Sequence, residues 1–206
     1  MRLLLPSNSF TRPLHAIVDF VAIACGWWLL GLSILTCVEM LGRKVFGFSL
    51  QGVDEIGSYT FAAVGAFGFS YTLITCGHTR VDFLLSRFSE AQRAVLNFAA
   101  MLTLAVTAVF FTYRAYHVLM ESVDLRSTAA SPLGTPLWLP QSIWLLGYVV
   151  FSATALAGAG YATRLLLAGA WTKLNARYGP QTLEEEIESE STVHIDRRAT
   201  ASQEMK

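Results

Sequence analysis

Hydrophobic residues are concentrated in four long blocks along this sequence, and polar residues collect in the shorter stretches between them. The blocks cover about residues 14–41, 54–77, 93–119 and 139–167. At about 1.5 Å per residue, helices of this length can cross a bilayer hydrocarbon core of about 30 Å. Because a backbone in lipid must form its hydrogen bonds within its own segment, each block is predicted to be a helix. The pattern therefore predicts an all-α membrane protein with four transmembrane helices.

The second block is the most clearly bounded of the four. Two acids precede it, a polar cluster follows it, and no charged side chain lies between Ile56 and Gly77. Small residues along the block favour close packing against another helix, although glycine and alanine are also simply frequent in membrane helices. The flanking acids are Asp54 and Glu55, the small residues include Gly65 and Gly68, and the polar cluster contains His78, Arg80 and Asp82.

Local signals indicate where several elements begin. Pro13 suits the first turn of a helix, so the first helix is expected to start there. Ser89 followed by Gln92 has capping-box spacing, which predicts the start of the third helix. Between the second and third helices, apolar and charged residues are mixed over residues 80–88, and this mixture favours a short segment along the membrane surface.

The stretch between the first two blocks, residues 42–51, is short and mixed in composition. It is expected to be a loop without an element of its own. Just before it, Glu39 and Arg43 are four residues apart, which predicts a solvated ion pair at the end of the first helix.

Three regions are predicted along the chain. Residues 1–12 form an N-terminal segment, residues 13–171 form the transmembrane domain, and residues 172–206 form a charged tail. Composition changes abruptly from Gly179 onward, where glutamates dominate. The tail carries too little apolar surface to order itself, so it is expected to be disordered.

Positive charges predict the orientation, because cytoplasmic segments of membrane proteins carry an excess of lysine and arginine. More of these residues lie in segments on the same side of the membrane as the N-terminus than on the opposite side. Both termini are therefore expected to be cytoplasmic. On the inside this orientation places Arg2, Arg12, Arg80, Arg87, Arg93, Arg164, Lys173 and Arg177. On the outside it places Arg43, Lys44, Arg114 and Arg126.

Composition agrees with a membrane protein. Of 206 residues, 53% are hydrophobic and 15% are charged, and the mean hydropathy is +0.46. The net charge of +0 offers no basic excess for nucleic acid. The three cysteines, Cys25, Cys37 and Cys76, lack metal-ligand spacing, so they are expected to pack as small apolar residues. No metal and no cofactor is expected.

The sequence contains no nucleotide-binding or hydrolase motif, so enzymatic activity is not expected. Transporters usually hold substrate and ions at broken helices near mid-membrane. Four largely uninterrupted blocks, with charges near their ends, offer no such site. The chain is therefore interpreted as an accessory subunit of a larger membrane protein.

Histidines suggest an alternative function. His15 and His78 are expected near the same membrane face on neighbouring helices, and two such imidazoles could ligate haem in the membrane anchor of a respiratory enzyme. Both lie at helix ends rather than inside the bundle, which favours ordinary interfacial histidines.

Several short motifs, in order and with their spacing, resemble the small permease subunit of tripartite ATP-independent periplasmic (TRAP) transporters. The resemblance covers about residues 14–167 and includes the number of helices. It is carried by Arg43, by Gly52, Val53, Asp54 and Glu55, by Gly65 and Gly68, by the run GHTRVD at residues 77–82, and by TPLWLPQ at residues 135–141 with Gly147.

The resemblance implies a multi-pass subunit in a bacterial inner membrane. In that family a large multi-span subunit holds the substrate and sodium sites, and a periplasmic binding protein delivers an organic acid such as a C4-dicarboxylate, a 2-oxo acid or a sialic acid. The small subunit is expected to be a fixed scaffold for the large one, which imports the organic acid by sodium symport.

The resemblance also implies roles for residues at three places. Contact with the large subunit is expected of Asp54, Glu55, Gly65 and Gly68. Contact with the binding protein is expected of Arg43, Lys44, Arg126, Trp138 and Gln141. The inner end of the second helix is expected to be fixed by His78, Arg80 and Asp82. Helix termination, lipid packing and plain solvated loops are the alternative interpretations of these positions.

Overall fold

The structure is a computed structural model, and it describes residues 12–75, 87–131 and 133–179, with side chains from Ala16 onward. This part of the chain contains five α-helices and no strand, apart from an isolated antiparallel bridge between Thr128 and Pro136. The helices are α1 (Arg12–Leu41), α2 (Val53–Ile74), α3 (Glu90–Asp124), α4 (Trp138–Leu167) and α5 (Trp171–Tyr178).

Three helical segments of the described chain are long and apolar enough to cross a membrane, namely Ala16–Phe46, Glu90–Asp124 and Trp138–Leu167. They confirm the predicted all-helical membrane class and three of the four predicted spans. Helix α2 is not among them, because its many glycine, serine, threonine and tyrosine residues lower its mean hydropathy. The fourth span therefore stays a prediction.

The expectation of a loop directly after α1 is wrong for its first five residues. Gly42–Phe46 continues the helix as a π-helical turn, which ends where Gly47 adopts a left-handed conformation (φ 70°). Gly42 permits this arrangement, since a Cβ at this position would lie 2.6 Å from the ring of Phe48. The ring of Phe48 also stacks on Phe46, with centroids 6.2 Å apart.

Helix α3 begins as its sequence predicts. Ser89 is the N-cap, and its backbone N–H donates a hydrogen bond to Oε1 of Gln92 at 3.0 Å, so the capping box is confirmed. The helix continues to Asp124, five residues beyond the end of the hydrophobic block, where the Leu125 N–H bonds to the Glu121 carbonyl at 3.0 Å.

Helices α3 and α4 form the centre of the bundle. Small residues line both faces of their contact, which lets the two backbones approach closely. Within it, the Thr112 hydroxyl lies 2.7 Å from that of Ser152 and donates to the Tyr148 carbonyl at 3.1 Å. The buried contact residues are Ala94, Met101, Ala105 and Ala108 of α3 and Phe151, Ala155, Ala159 and Ala162 of α4.

Helices α1 and α2 extend the bundle on one side. Gly147 of α4 packs directly against Ala66 of α2. On the other side of α2, the indole N–H of Trp28 in α1 donates to the Thr60 hydroxyl at 2.9 Å. Most large apolar side chains of α1 are exposed, including Phe20 and Trp27. This exposure suits a helix whose outer surface meets lipid or another protein.

The predicted disordered tail begins too early, because residues 171–178 form α5. Leu174 and Tyr178, four residues apart on one face, are buried, and the Tyr178 hydroxyl donates to the Gly158 carbonyl at 2.8 Å. Asn175 links α5 to α3 by accepting a hydrogen bond from Asn97 at 3.1 Å and donating to the Glu90 carbonyl at 2.8 Å. Residues 180–206 lie outside the described chain.

Candidate functional site

The N-terminus of α2 meets the loop between α3 and α4, which comprises residues 125–137 and is called the α3–α4 loop below; residue 132 is not described. Gly52, the N-cap of α2, has a φ of 96°, which favours glycine. A Cβ there would clash with Cδ1 of Leu133. Glycine is therefore needed at this position for two reasons, the backbone conformation and the close approach of the loop.

Glu55, in the first turn of α2, directs its carboxylate toward the same loop. Its Oε2 accepts a hydrogen bond from the Ser131 hydroxyl, and Thr135 of the same loop lies nearby. Its Oε1 accepts a hydrogen bond from the Tyr59 hydroxyl at 2.8 Å. An ionised carboxylate only accepts hydrogen bonds, and these donors satisfy it within its own chain.

The α3–α4 loop is closed on itself by backbone hydrogen bonds. The Leu137 N–H donates to the Ser127 carbonyl at 3.0 Å, and the Ala129 N–H donates to the Thr135 carbonyl at 2.9 Å. Arg126 adopts a left-handed conformation (φ 49°) where the chain leaves α3. The loop is thus an ordered structure rather than the plain polar connection that its composition suggests.

Arg126 and Trp138, two of the residues expected to contact a binding protein, lie together at this loop. They line one cavity of about 430 Å³, together with Val123, Ser127, Thr128 and Pro136. Gln141 lies in the next turn of α4, and its Oε1 is buried without a hydrogen-bond partner in the described chain. The sequence analysis put Arg126, Trp138 and Gln141 in one group. In the structure Arg126 and Trp138 share a cavity, whereas the amide oxygen of Gln141 is buried and does not line that cavity.

Arg43 and Lys44, the other two residues of that group, lie on the π-helical turn after α1. Arg43 contacts Oε1 of Glu39 through two nitrogens, Nη2 at 2.6 Å and Nε at 3.0 Å, and Ser49 donates to the same oxygen at 3.0 Å. The predicted ion pair is present, but it is not fully solvated, because the side chain of Glu39 is only 8% exposed. The Glu39 side chain is buried, while the Arg43 side chain remains exposed to solvent.

The four residues expected to contact a large subunit do not share one face of α2. Asp54 and Gly65 are exposed and lie 11 residues apart, which is about three helical turns and puts them on the same side. A Cβ at Gly65 or Gly68 would meet nothing within 4 Å. Glu55 is about 100° around the helix from Asp54 and faces its own loop. Asp54, Gly65 and Gly68 therefore form an open face of α2, and Glu55 does not.

His78, Arg80 and Asp82 lie in the segment 76–86, outside the described residues, so their predicted structural role stays a prediction. The predicted surface segment at residues 80–88 also lies outside the described residues as far as residue 86, so it too stays a prediction. His15 is in α1, but its side chain is not described.

Sequence reasoning missed the partners of Glu55 and the contact of Gly52 with Leu133. Ser131 is 76 residues from Glu55, and no local pattern links the two positions. The one available signal was Gly52, since a glycine directly before a helix indicates an unusual backbone conformation or a close approach. The Thr112–Ser152 contact was missed for the same reason.

Together, the apolar helices and the ordered polar ends define a multi-pass α-helical membrane protein. The family model for the DctQ component of tripartite ATP-independent periplasmic transporters matches residues 32–164, from α1 to α4. Because this match covers more than half of the sequence, the chain belongs to the DctQ family. A comparison with curated protein sequences gave no match.

The family assignment confirms the predicted resemblance and the predicted location. The chain is a multi-pass component of a tripartite transporter in the bacterial inner membrane. Its matched region contains both the open face of α2 and the α3–α4 loop. The assignment does not favour the alternative of a haem-binding respiratory anchor.

Proposed function

We propose that this chain is the small membrane subunit that holds the large transport subunit of a TRAP transporter in place. In this proposal the large subunit moves an organic acid together with sodium, and a periplasmic binding protein delivers the acid. The observation that carries the proposal is the open face of α2, where Asp54 and Gly65 are exposed and a Cβ at Gly65 or Gly68 would meet nothing within 4 Å in the described chain.

The open face has the properties of a helix-packing surface. Its glycines would let the backbone of another helix approach closely, and the neighbouring rings of Phe61 and Phe69 are 68% and 44% exposed. In a membrane, helices associate partly through van der Waals contacts, and glycines permit close contacts between two backbones. Asp54 lies at the membrane-surface end of this face, where a charge can remain hydrated.

We propose further that α2 crosses the membrane as the fourth span and that both termini are cytoplasmic. At 22 residues α2 has a length of about 33 Å, enough for the hydrocarbon core. It lies beside two apolar helices, α1 and α4. Several of its hydroxyls bond to carbonyls four residues back, for example Thr72 to Gly68 at 2.9 Å, which lowers their cost in lipid.

In this orientation the α3–α4 loop and the π-helical turn face the periplasm. Arg43, Lys44, Arg126 and Trp138 are exposed there, and they are proposed to contact the binding protein, with Gln141 supporting the loop from below. Aromatic and arginine side chains are frequent at protein interfaces, and basic residues would attract an acidic partner surface.

Co-expression with the cognate large subunit tests the proposed function. With an affinity tag on this chain alone, the large subunit is expected to co-purify in a mild detergent at a fixed ratio. Recovery of this chain by itself, with the large subunit correctly inserted in the same membranes, would contradict the proposal. An absorption spectrum of the purified chain addresses the alternative, because a bound haem would give a Soret band.

A further inference from the structure

Glu55 belongs to α2 by sequence, but its carboxylate contacts the α3–α4 loop. Ser131, on the arm of that loop before Gly134, donates a hydrogen bond to this carboxylate, and Thr135, on the arm after Gly134, lies nearby. Tyr59, one turn further along α2, donates to the other oxygen at 2.8 Å and so fixes the orientation of the carboxylate. A single side chain thus ties the loop to α2 through Ser131.

A second attachment lies next to the first. Leu133, at the tip of the loop, rests on Gly52, where the space that a Cβ would need is already occupied. Gly134 follows with a φ of 57° and donates its N–H to the Ser131 carbonyl at 3.0 Å. The apolar contact and the hydrogen bonds of Glu55 act on the same tip, so the tip is held from two sides.

The base of the loop carries the exposed groups. The Thr128–Pro136 bridge and the hydrogen bonds on either side of it transmit the position of the tip to Arg126 and Trp138. These two residues line the cavity of about 430 Å³ described above. In the described chain no carboxylate forms an ion pair with Arg126, so its charge is available to an acidic group of another molecule.

We infer that Glu55 is a positioning residue: it holds the α3–α4 loop in the conformation on which the periplasmic binding protein docks. This inference rests on the proposed function. Glu55 does not itself touch the partner, and it acts through Ser131. Asp54, the residue next to Glu55, lies on the open face of α2. The first turn of α2 therefore contacts the α3–α4 loop through Glu55 and is proposed to contact the large subunit through Asp54.

The inference predicts that loss of Glu55 weakens docking of the binding protein without weakening assembly with the large subunit. A direct contact of Glu55 with the large subunit would instead make its loss lower the yield of the complex as well. In the complete transporter reconstituted into liposomes, Glu55→Ala is expected to leave the yield of the complex unchanged. The concentration of loaded binding protein needed for half-maximal uptake is expected to rise about tenfold, as follows from losing charged hydrogen bonds that order a docking surface. The maximal uptake rate at saturating binding protein is retained.

Two further variants sharpen the result. Ser131→Ala removes a donor from the loop and leaves α2 intact, so it is expected to raise the half-saturating concentration with the same unchanged maximum. Glu55→Gln keeps an acceptor oxygen and is expected to have a smaller effect than Glu55→Ala. Glu121→Ala is the matched control, because it removes an exposed carboxylate near the same end of α3, and it should behave as the parent protein.

A second measurement does not depend on transport. Trypsin cleavage after Arg126 reports the order of the loop in the purified full-length chain, and Glu55→Ala is expected to speed it while Glu121→Ala is not. Unchanged cleavage, or an unchanged half-saturating concentration, would overturn the inference. Loss of the large subunit on purification of Glu55→Ala would overturn it as well. A parent complex without any uptake would instead count against the proposed function, and the cleavage result would still decide on Glu55.

Discussion

Gly147 of α4 and Ala66 of α2 are in such close contact that a Cβ at Gly147 would lie 2.7 Å from the Cβ of Ala66. The backbone carbonyl carbon of Ala66 would be only 3.1 Å away, so the helices themselves would have to separate. Gly147→Leu is therefore expected to destabilise the bundle by about 3 kcal/mol, in the range of overpacking in a well-packed core. Thermal unfolding in detergent would measure this loss.

The matched control for Gly147→Leu is Gly160→Leu on the same helix. Gly160 is exposed, and a Cβ there would meet nothing within 4 Å. This variant should unfold at nearly the parent temperature. Equal destabilisation by the two substitutions would show that a general effect on α4, rather than the contact with Ala66, is responsible.

Gly65→Leu tests the open face of α2. Since no atom of the described chain lies near a Cβ at this position, the subunit is expected to fold normally. A leucine there would keep a partner helix from approaching, so the amount of co-purified large subunit should fall at least about fivefold, which corresponds to about 1 kcal/mol. Gly160→Leu again serves as control, and a yield equal to the parent's would contradict the assignment of this face.

Tyr178→Phe tests the attachment of α5. The Tyr178 side chain is buried, and the substitution removes its hydrogen bond to the Gly158 carbonyl, which is expected to cost about 1 kcal/mol. Trypsin cleavage after Arg177 should become faster, because α5 detaches more often. Tyr113→Phe, which removes a hydroxyl from an exposed tyrosine on α3, should leave the rate unchanged. If both variants resist cleavage like the parent, α5 is held by other contacts.

The proposed fourth span predicts a specific pattern of labelling in cells. With the native cysteines replaced by serine, Lys44→Cys and Ala130→Cys should both react with a membrane-impermeant thiol reagent added from the periplasm, since both side chains are exposed. Thr172→Cys should react only after the inner membrane is opened. If α2 did not cross, residues 44 and 130 would lie on opposite sides, and only one of them would be labelled from outside.

The sequence was sufficient for elements whose causes are local. Hydrophobic blocks predicted the four long helices, and Ser89 with Gln92 predicted the start of α3. It was insufficient where the cause lies elsewhere in the chain: α5 is ordered because Tyr178 and Asn175 find partners on other helices, 20 residues and more away.

The candidate site shows the same division. The spacing of Asp54, Gly65 and Gly68 on one side of α2 follows from helical periodicity. The same periodicity separates Glu55 from that group, but its partner Ser131 could not be predicted, because only the folded chain brings the two residues close. In the π-helical turn at Gly42–Phe46, the ring of Phe48 lies against Gly42, a contact that the sequence did not predict.

Uptake into liposomes tests the central claim most directly, namely that this chain supports a transporter without moving solute itself. Radiolabelled organic acid and an inward sodium gradient would be supplied to liposomes that contain this chain alone, the large subunit alone, or both, each with the loaded binding protein outside. Uptake is expected only where both subunits are present. Uptake by this chain alone, or full uptake by the large subunit without it, would contradict the account.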